Sequence, residues 1–407
     1  MSRFDPAKFA RFPLLYLVAL SALGVLLRWQ MVSPLPINYR YFVHAHSHTA
    51  FMGWVYNALF LLILQHFVAK ENKGKLFRGY FIALQIGVVG MLASFPFQGY
   101  GPVAIAFSTL HMAVTIAIAV SVFKLMRDDS TLAATFLRWA LIYQLISGVG
   151  PLMLGPLSAM GLKDSPLYSL SIYFFMHFQF NGWFVLACLA ILFRLLERSG
   201  WSLADTERKW LKYTLLYTVG PAYVMSALWT DMGQWKYVLA IVTGTLQVAG
   251  ALLLLRCVWK SVKVKLRVQW ARRCLQLGIV LLTVKYFLQL AGSIPGIDSW
   301  VMANNGIIIA FIHLIFIGVV SFMLLGFYIL GGWLHLTAVS KTGMLVFFGG
   351  FAITELALVA LPSFSLVGLS AQFPYFETLV VAAAMLLIGS VLIAMEVKRL
   401  QAQQAIF

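Results

Sequence analysis

The chain has 407 residues, of which 61% are hydrophobic and only 11% charged, and its mean hydropathy is +0.88. That composition excludes an ordinary soluble domain and fits a polytopic membrane protein. The net charge of +17 does not point to nucleic acid, because the basic residues flank apolar runs and form no surface stripe.

Taken in order, the first apolar run is Phe12 to Val32. It is read as a membrane span and not a cleavable leader: it runs to roughly the 20 residues a crossing needs and carries no small-residue cleavage site. Eleven further runs follow near 46–69, 77–97, 102–124, 133–158, 168–193, 210–229, 236–256, 271–292, 305–330, 343–361 and 377–397. Each is expected to be helical, since lipid offers no water to satisfy open backbone groups. The expectation is an all-α membrane fold of twelve transmembrane helices in one integral membrane domain. Most of the 30 Lys and Arg residues fall in alternate loops, from Arg3, Lys8 and Arg11 to Lys398 and Arg399, leaving Arg28, Arg40, Lys163 and Lys236 on the other side. The positive-inside rule then puts both termini in the cytoplasm of a bacterial-type inner membrane. Cys188, Cys257 and Cys274 form no C-x-x-C pair and are read as reduced thiols.

The most informative stretch opens the second segment, where His44, His46 and His48 occupy alternate positions. Residues four apart share a helix face, so His44 and His48 look one way and His46 another. The pattern H-x-x-F-x-G recurs as His48/Phe51/Gly53, His177/Phe180/Gly182 and His313/Phe316/Gly318. Those histidines fall on segments two, six and ten, which implies three pseudo-repeated four-helix blocks of about 1–130, 131–262 and 263–407. Thr109-Leu-His111 on segment four is echoed by Thr245-Leu-Gln247 on segment eight. Histidines at one depth on related helices are what a shared haem or metal site needs, with copper, iron or zinc as candidates. His46, His48, His177 and His313 are therefore the candidate ligands, with His44 and His111 as additional ones. His66 and His335 are read as structural. Lys285 and Glu355 are charges within spans, read as a buried ion pair or a proton route. Arg28 and Arg40 flank the histidine cluster, where they suit haem propionates or lipid headgroups. The repeat glycines are read as close-packing points.

His46-Ser-His48-Thr-Ala-Phe51-Met-Gly53 resembles the H-x-H-x-A-F-F-G of the tenth helix of nitric oxide reductases, within the haem-copper oxidase superfamily. His177-Phe-Gln-Phe-Asn181-Gly182-Trp183 is similar to their sixth-helix H-L-W-V-E-G-V-W, with Asn181 in place of the glutamate. Ala310-Phe311-Ile-His313 resembles the A-H-F-H of oxidase helix ten, with Phe311 replacing one histidine. The resemblance implies a low-spin haem between His48 and His313, and a second haem or metal at His46 and His177. The seventh segment, Trp210 to Trp229, has no histidine, so the paired ligands of a complete metal centre are missing. A divergent relative, similar to the twelve-span NnrS family associated with nitric oxide tolerance, is the expectation. It would be an integral membrane haem or metal protein linked to nitric oxide or oxygen chemistry, taking electrons from a respiratory donor or other membrane subunits. Whether it is an oxidoreductase is left open, and no catalytic residue is assigned. Two other classes stand beside it: a twelve-helix transporter using the histidines, Lys285 and Glu355, and a non-catalytic partner of a respiratory complex. Membrane lipid is a partner in all three, and nucleic acid in none.

Overall fold

The computed structural model describes residues 4–366 and 374–397. Arg3, Lys398 and Arg399 lie outside the described residues. Among these residues the chain is built from helices alone, and eleven are long and apolar enough to cross a membrane. It is a multi-pass membrane protein. The helices are α1 (Arg11–Val32), α2 (Tyr39–Phe67), α3 (Lys75–Gln98), α4 (Pro102–Leu125), α5 (Leu132–Ala159) and α6 (Pro166–Arg198). After a short α7 (Asp205–Leu211) come α8 (Trp235–Lys265), α9 (Gln269–Ala291), α10 (Asn305–Leu330), α11 (Ala338–Leu366) and α12 (Tyr375–Met395). All three cysteines are free.

The chain divides into two compact units, one of Met1–Val122 with Leu324–Phe407 and the other of Phe123–Met323. This division cuts across the expected blocks, because α9 and the first part of α10 group with α5 to α8. In the first unit α11 and α12 pack backbone against backbone. A Cβ on Gly389 would lie 2.6 Å from the Phe347 nitrogen, the close approach that small residues permit between helices in lipid.

The seventh apolar run does not form a continuous helix. After α7 the chain winds through a π segment (Lys212–Leu216), turns, and a 3-10 helix (Pro221–Ala227). The reason is local: Pro221 has no N–H to give to the preceding turn, and its ring clashes with the carbonyl four residues back. A break of this kind survives in a membrane only where other groups take up the freed backbone. Here the Tyr143 hydroxyl donates to the Leu216 carbonyl at 2.8 Å, and the His177 ring donates to the Val219 carbonyl at 2.8 Å.

A second departure from regular α-helix recurs three times. A π-helical segment begins at the residue after His48 (Thr49–Tyr56), after His177 (Phe178–Phe184) and after His313 (Leu314–Ser321). The wider i→i+5 winding leaves helix carbonyls short of partners and is often found at functional positions. In two of the three, a side chain reaches back five residues to such a carbonyl: Asn57 to Met52 and Ser321 to Phe316, both at 2.7 Å.

Candidate ligand histidines and a buried polar chain

In the first unit, Asn38 caps α2 by accepting from the Tyr41 nitrogen, and the three alternate histidines follow within its first turns. They separate as the helical period requires. His44 and His48 both pack against Tyr100, at ring separations of 4.6 and 5.6 Å, and His48 also lies 4.4 Å from the Phe95 ring. His46 turns to α1, where its Nδ1 donates to the Leu20 carbonyl at 2.9 Å, beside Gly24. His48 Nδ1 donates to the His44 carbonyl, also at 2.9 Å, and its Nε2 accepts from the Tyr100 hydroxyl at 3.2 Å. Both rings are half-buried. A carbonyl that holds Nδ1–H fixes the tautomer and leaves Nε2 as the basic atom, the arrangement that typically orients a ligating imidazole.

His111 on α4 is buried, stands edge-on to Tyr56 at 5.3 Å, and its Nε2 meets no hydrogen-bond partner among the described residues. Arg28 is half-buried one turn beyond Gly24 on α1, and Arg40 is exposed at the start of α2. Neither forms an ion pair among the described residues. Glu355, half-buried on α11, carries an Oε1 without a hydrogen-bond partner among the described residues.

The repeat glycines Gly53 and Gly182 have matching surroundings, each in its own unit. A Cβ on Gly53 would lie 2.9 Å from Tyr16 of α1, and one on Gly182 would lie 2.4 Å from Tyr143 of α5. Each tyrosine then hydrogen-bonds the next element along: Tyr16 to Gln85 Oε1 of α3, and Tyr143 to the Leu216 carbonyl, both at 2.8 Å.

In the second unit, His177 is committed at both nitrogens. Its Nε2 donates to Val219, and its Nδ1 accepts from the Asn181 amide at 3.3 Å. The Asn181 oxygen in turn accepts from Lys285 Nζ, which also donates to Gln289 Oε1. The Gln289 amide nitrogen continues to Gln247 Oε1 at 2.8 Å. The Tyr286 ring lies 4.1 Å from Lys285 Nζ. The ammonium is thus provided with two amide oxygens and an aromatic face. Both amides have their nitrogens engaged elsewhere and present oxygen to the lysine; Glu355 belongs to the first unit. Beside the chain lies a cavity of about 200 Å³, lined among others by His177, Asn181, Met225, Trp229, Asp298 and Phe311.

His313, half-buried on α10, belongs to this second unit, whereas His48 belongs to the first. Among the described residues no group of three or more His, Cys, Asp and Glu side chains is gathered to hold a metal ion. The sequence reading missed Asn181, Gln289 and Tyr100 as partners, and Gln247 was noticed only as an echo of His111. No family model matches the chain, and no curated protein matches it.

Proposed function

We propose that this protein is an integral membrane haem-binding protein, related in kind to the haem-copper oxidases and connected with nitric oxide or oxygen chemistry. The observation that carries the reading is the pair of Nδ1 hydrogen bonds to carbonyls, His46 to Leu20 and His48 to His44. They leave Nε2 of each ring as the basic nitrogen, which is the donor chemistry of an axial imidazole; on His48 that atom accepts from the Tyr100 hydroxyl, which a bound iron would displace. A bound haem supplies reversible diatomic binding or one-electron transfer. The chain's own part is to hold the rings, wall them with Phe95 and Tyr100, and offer Arg28 and Arg40 to anionic groups. His177 has the roles of its nitrogens exchanged, Nε2–H held by the Val219 carbonyl and Nδ1 accepting from Asn181, and is assigned to a second centre apart from this haem. In the same proposal, twelve crossings with both ends cytoplasmic include the broken seventh segment as a discontinuous span, and the three π segments support the threefold block repeat.

The test is the visible spectrum of the purified full chain with haem supplied. A Soret band is expected, with His46→Ala and His48→Ala each removing or shifting it and His177→Gln leaving it in place. A wild type that retains no haem, or spectra indifferent to both first-unit variants, would overturn the reading.

A second reading, a transporter, is favoured by one specific observation: a broken helix whose carbonyls and neighbouring Lys285 chain lie beside a cavity, as discontinuous helices do around substrate sites.

A further inference from the structure

The cavity of the second unit sits among charges that do not balance. Lys285 is fully buried, and its partners are the neutral oxygens of Asn181 and Gln289. It stands directly behind the cavity wall, since Asn181 and Phe311 both line the cavity and the Phe311 ring centroid is 6.0 Å from Nζ. A second buried ammonium, Lys236, donates to the carbonyl of another lining residue, Leu228, at 2.7 Å, and to that of Thr230. One carboxylate, Asp298, also lines the cavity. Its oxygens are taken by the Tyr237 hydroxyl at 2.8 Å and the Gly296 nitrogen at 2.9 Å. His177 is neutral, because one ring nitrogen donates while the other accepts. Asp231, on the neighbouring turn, is exposed, where water screens it. With both lysines protonated the surroundings carry one positive charge in excess, a state that burial disfavours until an anion answers it.

We propose that this cavity binds a small monovalent anion with an apolar body, such as a monocarboxylate, whose charge answers Lys285. The walls set the class. Trp229, Phe311, Phe180 and Met225 surround the space, so a weakly hydrated organic anion gains by burial what a strongly hydrated inorganic ion would lose. Two ammoniums against one carboxylate admit a single negative charge. The proposal requires no haem and does not rest on the haem reading; under the transport reading it names the substrate class.

The experiment is calorimetric titration of the detergent-solubilised full chain with sodium benzoate, against benzamide as the uncharged molecule of the same shape, at fixed ionic strength. Saturable benzoate binding is expected, at least tenfold tighter than that of benzamide. Lys285→Met should bring benzoate down to the benzamide level, and Phe311→Trp, which fills the cavity and leaves the ammonium, should abolish both. Benzoate that binds no better than benzamide to the wild type overturns the proposal whether or not the variants fold. So does a folded Lys285→Met that keeps the preference.

Discussion

Asp129, in the turn between α4 and α5, shows how one residue links charge to stability. Burial pushes its carboxyl up, but the Thr131 hydroxyl, Arg194 and the Thr131 nitrogen all donate to it and hold it below the usual carboxylate range. Thr131 also caps α5 by accepting from the Ala134 nitrogen at 3.2 Å. A depressed folded value means stability that is fully present above the unfolded carboxylate value of about 3.9 and is lost as pH falls through the folded value. Asp129→Asn should therefore lower stability at neutral pH by about 1 kcal/mol, a figure kept small because the pair is partly solvated. That deficit should close on acidification below about pH 4. Thermal unfolding of both forms across that range is the check, and a deficit independent of pH would show that the carboxylate charge is not what matters.

At the scale of elements, the glycine and tyrosine contacts decide how α1 meets α2 and how α5 meets α6. A Cβ on Gly182 would fall 2.4 Å from the Tyr143 Cβ, a separation that forces the helices apart or the ring out of place. Gly182→Ala is expected to cost about 1–3 kcal/mol by overpacking, and it should also weaken the Tyr143 bond to the broken seventh segment. Detergent unfolding midpoints for Gly182→Ala and for Gly155→Ala, whose added Cβ would meet nothing within 4 Å, separate packing from a general loss of glycine. Equal midpoints for the two would refute the close-packing role. The glycines were legible as packing points from the repeated motif. Their tyrosine partners stand in a shared pattern too, Arg11-Phe-Pro-Leu-Leu-Tyr16 against Arg138-Trp-Ala-Leu-Ile-Tyr143, but nothing in that pattern says which glycine each ring will meet, since that depends on how the helices pack.

For the whole molecule, the alternation of basic loops predicts that both termini face the cytoplasm. A reporter fused after Phe407 that works only in the cytoplasm should be active, and one that requires the periplasm should be silent; the reverse result would leave an odd number of crossings. The seventh segment is where this count is exposed, since α7 and the 3-10 turn do not together form one continuous helix. An odd count would mean that this stretch enters the membrane and returns on the same side.

The sequence by itself determined that this is an all-helical membrane protein, eleven of the segments apolar enough to cross, and that His44 and His48 share a face that His46 does not. These follow from composition and the 3.6-residue period, both properties of a chain before it packs. Only the tertiary structure decided where buried polar groups find partners. His177 meets Val219, 42 residues away, because Pro221 breaks the seventh segment and frees that stretch of backbone, and Lys285 meets Asn181 across 104 residues. The three π segments were likewise invisible, since the same apolar letters suit either winding and the choice falls to packing and to residues such as Asn57 and Ser321. Lipid makes hydrogen bonding compulsory without saying with whom, and the partner is settled by which helices come to lie side by side.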